Sequence, residues 1–227
     1  MSIKSRILAA TAALTVVGGL GTVGALSASA ATPSCGHRCI DIFSREFGTH
    51  SHPNFVLDVW RQSAKAGTPI ILYRTSNSDK AEDFAVSFQG TVADFFKAGL
   101  VSAALNLHYS RDWAFEFEYS PDGVNSGMCV GTASTAANKT PVVLVPCGVS
   151  AKSVWVVDSR DSIGRGYVPL INGSDVNFSH PSVLHYPGNS FPTDTPRPQL
   201  NTFELQKYSN GSVFDNELWG ADFGVLR

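Results

Sequence analysis

The sequence is poor in charged residues and has no excess of basic ones. Of its 227 residues 16% are charged, and 17 Lys and Arg stand against 19 Asp and Glu, for a formal net charge of −2. Nucleic acids and anionic membrane surfaces are bound by basic faces, so we expect neither as a partner. Glycine and proline are frequent, at 20 and 12 residues, which is typical of a compact domain of short strands and many turns.

Motifs of the common enzyme classes are also missing. The chain has no G-x-S-x-G elbow, H-E-x-x-H helix, phosphate-binding P-loop or EF-hand loop. Two carboxylates, Glu116 and Glu118, lie on one face of a strand predicted over 113–119, where Phe115 and Phe117 alternate with them. We interpret this pair as the solvent-exposed side of the strand rather than as a glycosidase pair. We therefore expect no catalytic residues, no enzyme activity and no cofactor.

One long apolar run is present, and it lies at the N-terminus. Residues 7–26 carry no charge, follow the basic Lys4 and Arg6, and precede the small-x-small pattern Ala28-Ser29-Ala30. This order predicts a signal peptide that is cleaved after Ala30. A membrane span is the weaker interpretation, because glycines interrupt the run and no basic cluster follows it. We therefore expect residues 1–30 to be removed and the protein to be secreted, outside the cytoplasm.

Cysteine is scarce, with four residues at Cys35, Cys39, Cys129 and Cys147. An even number in a secreted chain indicates two disulfides. Three pairings are open, and we favour the local pairs Cys35–Cys39 and Cys129–Cys147. A zinc site is the alternative for the first pair, since His50 and His52 lie nearby in the sequence. Oxidation of thiols during secretion favours the disulfide, so we expect no metal.

Short apolar, β-favouring segments separated by turn residues begin near residue 55. The first three cover 55–60, 68–73 and 82–86. One short helix is predicted over 91–100, with Thr91 as its N-cap and Asp94 three residues later. Residues 31–53 are polar and we expect them to be irregular. The pattern predicts an all-β domain over 54–227, either a barrel or a sandwich.

The chain also repeats itself. Thr140-Pro141-Val142-Val143-Leu144 matches Thr68-Pro69-Ile70-Ile71-Leu72, and Ser153-Val154-Trp155 matches Glu82-Asp83-Phe84 at nearly the same spacing. A third, looser copy runs through 167–171, 181–184 and 201–205. Such repeats predict a fold of equivalent units that share one core. We expect Phe84, Trp155 and Phe203 to occupy equivalent core positions.

This order of strands resembles the ricin-type β-trefoil lectin family, whose third repeat strand carries Gln-x-Trp. The resemblance covers about 54–205, as three units of unequal length, and 89–110 is then either an insertion or a pair of long strands. Glutamine is replaced in all three units, by Glu82, Ser153 and Asn201. Cys129 and Cys147 flank the turn of the second unit as the family's intra-repeat disulfide does. The resemblance implies a β-trefoil.

The resemblance also implies a shallow sugar site, in which an Asp accepts hydroxyl hydrogen bonds and an aromatic ring stacks on the sugar. In the first unit Asp58 takes the acidic position and Tyr73 the stacking position. The family's Asn position falls on Ala81, and Asn77 or Asp79 could replace it.

The other two units match the lectin site less well. The second has Gly131 and Val145 at the two positions, and in the third His185 takes the aromatic place with no aligned Asp. The resemblance thus implies a protein that binds a polysaccharide or glycan through its first unit, and we expect it to be monomeric. In the alternative, Asp58 only caps a turn, Tyr73 packs against Trp60, and the scaffold acts on a protein partner, as an inhibitor would.

Overall fold

A computed structural model describes residues 40–47, 55–75, 79–163, 166–188 and 198–223 of the chain. These ranges form twelve strands and two α-helices, α1 (Val92–Lys97) and α2 (Ala103–Tyr109). The strands are β1 (Ile40–Ser44), β2 (Phe55–Val59), β3 (Ile70–Arg74), β4 (Phe84–Thr91), β5 (Trp113–Tyr119), β6 (Met128–Thr132), β7 (Thr140–Pro146), β8 (Trp155–Val157), β9 (Leu170–Asn172), β10 (Ser182–His185), β11 (Asn201–Glu204) and β12 (Trp219–Phe223). None of the helices described is long and apolar enough to cross a bilayer.

The strands fall into three units of four. In each unit the second and third strands form a hairpin, giving β2–β3, β6–β7 and β10–β11. The remaining strands pair between units, as β4–β5, β8–β9 and β12–β1. These pairings make a six-stranded barrel, and bridges such as Asn201↔Pro141 and Ile71↔Gln199 join the hairpins across one end of it. The fold is therefore the predicted all-β trefoil.

One large aromatic residue begins the fourth strand of each unit. Two of them pair with the first strand of their unit, as Ile40↔Phe84 and Phe115↔Trp155, and the third forms the bridge Val168↔Trp219 two residues before β9. Trp155 Nε1 donates to the carbonyl of Val130, and Trp219 Nε1 donates to that of Leu184, both at 2.9 Å. The equivalent core residues are therefore Phe84, Trp155 and Trp219.

The prediction for the third unit was wrong by one strand. Phe203 lies on β11, the third strand of its unit, and is only half-buried. The segments 167–171, 181–184 and 201–205 correspond to β9, β10 and β11, whereas the fourth strand is β12. Consequently Glu217, and not Asn201, stands at the glutamine position of the third unit.

The trefoil begins before residue 54, in the segment expected to be irregular. Its first strand, β1, pairs with β12 along its whole length, from Ile40↔Phe223 to Ser44↔Trp219. Ile42 and Phe43 are each 1% exposed. The partner of β1 lies at the other end of the chain, so neither a hairpin turn nor a neighbouring segment signals this strand in the sequence.

The insertion between the first and second units is helical, as predicted. Thr91 and Asp94 form a reciprocal cap on α1, with the Thr91 N–H donating to Asp94 Oδ2 at 3.0 Å and the Asp94 N–H donating to Thr91 Oγ1 at 3.3 Å. The sequence did not predict α2, which Ser102 caps by accepting from the Leu105 N–H at 3.0 Å. Phe95 and Leu105 pack both helices against Val156 in a separate cluster outside the barrel.

Glu116 and Glu118 are not on a solvent-exposed side, contrary to the sequence interpretation. They are 2% and 5% exposed, because the loops that flank β6 and β7 cover this face of β5. Glu116 Oε1 accepts from the Gly148 N–H at 2.9 Å and from the Ser153 hydroxyl. Glu118 Oε1 accepts from the Gly127 N–H at 2.6 Å. The two carboxylates hold the loops that flank β6 and β7.

The predicted Cys129–Cys147 disulfide is present, with the two Cα atoms 5.0 Å apart. It joins the start of the β6–β7 hairpin to the residue after β7. The Cys35–Cys39 pair, its alternative zinc ligands His50 and His52, and the predicted signal peptide all lie outside the described residues.

Candidate functional site

The outer face of the β2–β3 hairpin carries the two residues that the sequence placed in a sugar site. In the register of this hairpin Asp58 pairs with Ile71, and Val56 pairs with Tyr73. Directly opposed residues and residues two apart share a face of a sheet, so Asp58 and Tyr73 are diagonal neighbours on one face. Asp58 is 3% exposed, and Tyr73 is half-buried at the end of β3.

A second acidic residue from the predicted set joins this face. Carboxylate oxygens of Asp58, Asp79 and Glu82 lie within 4.8 Å of one another. Asp79 caps a short 3-10 turn by accepting from the Ala81 N–H at 3.0 Å, and it also accepts from Gln62 Nε2 at 3.1 Å. The structure therefore brings the carboxylates of Asp58, Asp79 and Glu82 into one acidic cluster, the acidic pocket of the first unit, while Asn77 lies outside the described residues.

Glu82 is a member of this pocket that sequence reasoning did not select. It stands at the family's glutamine position and is 4% exposed. Its Oε2 accepts from the Thr75 hydroxyl at 3.0 Å. The sequence shows that Glu82 stands two residues before Phe84. Its proximity to Asp58 arises only in the folded chain, because the segment after β3 packs against β2. Ca²⁺ takes six to eight oxygen ligands, so these three carboxylates alone do not complete its coordination shell.

The turn after β2 forms a rim beside the pocket. Arg61 and Gln62 both adopt positive φ, at 56° and 55°, a backbone conformation that is uncommon for non-glycine residues and is often found at functional sites. The Arg61 guanidinium lies over the Trp60 ring, 5.5 Å from its centroid. The turn thus places a hydrogen-bond donor, Gln62, and an aromatic ring next to the carboxylates.

The pocket is electrically negative. Burial raises the pKa of the Tyr119 hydroxyl, and the carboxylates of Asp83, Asp58, Asp79 and Asp122 raise it further. Lys80 is close, but its ammonium group is paired with Asp122 at 2.7 Å. The pocket is therefore suited to ligands that donate hydrogen bonds, and it disfavours anionic ones.

The corresponding position of the second unit has no pocket. Gly131 stands where the first unit has Asp58. A Cβ atom at Gly131 would lie 2.5 Å from Val145 Cγ2 and 2.7 Å from the carbonyl oxygen of Lys152. Neighbouring atoms therefore fill the space that a carboxylate would need.

The third unit has a different pocket from the one expected. With Trp219 as the equivalent aromatic, His185 takes the place of Asp58, and Phe203 takes the stacking place that the sequence assigned to His185. The His185 and Phe203 ring centroids are 5.1 Å apart. Asn216 immediately precedes Glu217 and so occupies the family's Asn position, which is Ala81 in the first unit. Because the sequence alignment of the third unit was wrong by one strand, it did not identify Phe203 or Asn216 as residues of this pocket.

The polar atoms of this third pocket are bonded to one another. His185 Nδ1 donates to Asn201 Oδ1 at 2.8 Å, and His185 Nε2 accepts from Asn216 Nδ2 at 3.1 Å. This pattern fixes a neutral imidazole with its proton on Nδ1. Burial lowers the pKa of His185, and its bond to Asn201 opposes that shift. The third unit therefore has a neutral imidazole where the first unit has the Asp58 carboxylate.

Comparison with known proteins shows the fold. No protein-family model and no curated protein sequence matches the chain. Among solved structures, a designed 3-fold symmetric protein, ThreeFoil, is 16% identical with a TM-score of 0.50, and the match covers 80% of this chain and 96% of that one. A mosquitocidal holotoxin is 11% identical with a TM-score of 0.51, covering 81% and 17% of the two chains.

A third solved structure is an exo-beta-1,3-galactanase from Clostridium thermocellum. It is 13% identical with a TM-score of 0.50, and the match covers 81% of this chain and 30% of that one. The chain therefore spans less than a third of the length of the holotoxin and of the galactanase. At these identities the likeness concerns the trefoil fold alone.

Proposed function

We propose that the protein is a secreted, lectin-like trefoil protein that binds a neutral glycan through its first unit and catalyses no reaction. The observation that carries this proposal is the convergence of Asp58 and Asp79 in one pocket, with Tyr73 on the same face of the hairpin. Carboxylates accept strong, charge-assisted hydrogen bonds from sugar hydroxyls. An aromatic ring offers a flat apolar surface to the C–H face of a sugar.

The charge around the pocket narrows the class of glycan. Asp58, Asp79 and Asp122 all lie close enough to disfavour ionisation of Tyr119. A uronic acid or a sulfated sugar would bring another negative charge into this field. Neutral saccharides, such as galactosides and xylan fragments, are therefore the expected ligands.

Secretion is supported by two independent features. The N-terminal pattern is that of a cleavable signal, and the Cys129–Cys147 bridge is of the kind that forms in oxidising compartments. N-terminal sequencing of the exported protein is expected to begin near Ala31.

Substitution of the central carboxylate tests glycan binding. Asp58→Asn keeps the side-chain shape and removes the charge, and we expect a loss of affinity of about 5-fold to 15-fold, because a hydrogen bond to a charged group contributes about 1.5–3 kcal/mol and one to a neutral group about 0.5–1.5 kcal/mol. Asp161→Asn is the matched control, since Asp161 pairs with Lys207 at 2.6 Å in another unit. Isothermal titration with galactosides and xylan fragments measures both variants, and thermal melts check their folding. Glycan binding that survives Asp58→Asn would place the site elsewhere.

A second function, docking on a protein partner, is favoured by one observation. The helical insertion exposes apolar side chains, with Leu107 81% exposed and Phe96 41% exposed. If a glycan array gave no discrete signals and the Leu107→Asp substitution abolished binding of a protein partner, these two results would support this second function instead.

A further inference from the structure

An apolar cavity of about 340 Å³ lies inside the barrel at the end remote from the hairpins. One wall is formed by the N-terminal part of β5, which is the end of this strand that lies farther from the β6–β7 hairpin. There Trp113, Phe115 and Phe117 are stacked in a series, with ring centroids 6.4 Å and 5.9 Å apart. Ile42 of β1, Leu170 of β9 and Ala221 of β12 also line the cavity.

The cavity arises from small residues in the third unit. Two residues after the core aromatic, the first and second units have Val86 and Val157, whereas the third has Ala221. The segment around the first strand of each unit pairs with this fourth strand and also differs between units. Phe115 and Trp113 of the second unit correspond to Val168 and Gly166 of the third. The pairs Phe115↔Trp155 and Val168↔Trp219 establish these equivalences. The third unit therefore leaves unfilled the space that the second unit fills with two aromatic rings.

The lining determines what the cavity can hold. Its walls are almost entirely carbon, so water inside would lack the two to four polar partners that stabilise a buried water molecule. An empty cavity would forfeit packing contacts. Among the described residues that line the cavity, no side chain other than the two indoles offers a polar group to sugar hydroxyls. An apolar occupant is the chemistry that these walls favour.

The volume of the cavity and its access to solvent further limit the ligands that it can hold. At about 30 Å³ for each water-sized group, the cavity holds an apolar body of about ten carbon atoms. Trp113 is 56% exposed at the rim, so the mouth faces solvent. A polar head group can remain in water there while the chain lies inside.

We propose that the open end of the barrel binds the aliphatic chain of one medium-chain fatty acid or similar amphiphile, with its head group in solvent beside Trp113. This site is separate from the acidic pocket, which lies on the outer face of the β2–β3 hairpin. The two sites would therefore be occupied independently.

Titration of the purified protein with decanoate, below its micelle concentration, tests the proposal. We expect saturable one-to-one binding by calorimetry and a change in tryptophan emission, since Trp113 and Trp219 line the cavity. Octanoate should bind about 15-fold more weakly, because each buried methylene contributes a factor of about four. Dodecanoate should add little, since the cavity is then full.

Two variants locate the binding. Ala221→Leu places three more carbons in the cavity and should weaken decanoate binding at least tenfold, whereas Ala133→Leu, the same change at an exposed position, should leave it unchanged. Trp113→Ala at the rim provides a second variant that does not fill the core, and it should weaken binding severalfold. Thermal melts confirm that each variant is folded.

Three results would overturn the proposal. The first is the absence of saturable binding by the wild-type protein. The second is equal affinity of the Ala221→Leu and Ala133→Leu variants for decanoate. The third is a dimer in sedimentation that Trp113→Ala converts to a monomer, because a second copy of the chain would then be the occupant of the cavity mouth.

Discussion

Replacement of Trp219 by phenylalanine tests the equivalence of the three units. Trp219 is 1% exposed, and its Nε1 donates to the carbonyl of Leu184 at 2.9 Å. Phenylalanine, which the first unit has as Phe84, keeps a ring in the core but leaves that carbonyl without its donor. A buried unpaired acceptor costs about 1–3 kcal/mol, and the smaller ring loses about 1 kcal/mol of apolar burial. We expect Trp219→Phe to lower the free energy of unfolding by about 2–4 kcal/mol.

Two further substitutions make the comparison specific. Trp155→Phe removes the equivalent bond to Val130, also 2.9 Å long, and should cost a similar amount. Phe203→Ala should cost about 1 kcal/mol, because the half-buried ring lies on the outer face of its hairpin beside His185 and loses only part of its burial.

Urea unfolding followed by far-ultraviolet circular dichroism measures these losses without relying on tryptophan emission. Thermal melts provide a second measure, since 1 kcal/mol shifts the Tm of a domain of this size by about 2–4 °C. If Phe203→Ala proved more destabilising than Trp219→Phe, Phe203 would be the core residue of the third unit and the equivalence drawn here would be wrong.

Three other predictions concern the fold. Replacing Cys129 and Cys147 by serine should lower the free energy of unfolding by about 3 kcal/mol on the chain-entropy model, since the bridge spans 18 residues; an unchanged urea midpoint would contradict this. Burial raises the pKa of Glu217 from 4.5 to about 8, so the folded state keeps a proton that the unfolded chain releases. Stability should therefore fall as pH rises from about 5 towards 8. Glu217→Gln should remove its share of that decline in melts across this range, and an identical decline in the variant would refute the assignment. Gly131→Ala should be destabilising by more than 1 kcal/mol, because its Cβ would meet the Lys152 carbonyl at 2.7 Å; a melt like that of the wild type would show that the loop yields.

The acidic pocket shows how far sequence reasoning reached towards a site. Asp58 and Tyr73 were chosen through the family resemblance, and the hairpin register places them on one face. Glu82 joins Asp58 and Asp79 only because the chain returns to β2 after the loop that follows β3, and this return has no local signature. His185 was assigned the wrong role, because the position of the third unit's core aromatic fixes the whole alignment of that unit.

The sequence by itself determined the features that depend on residues close together in the chain. The Thr91–Asp94 cap, the short strands of the first two units and the pairing of Cys129 with Cys147 each depend on residues close together in the chain, and these features were predicted correctly. The tertiary structure alone decided three others: the pairing of β1 with β12, the choice of Trp219 over Phe203, and the burial of Glu116. Each of these depends on a partner distant in sequence, and pairing across such a distance leaves no periodic signal in the sequence of either strand.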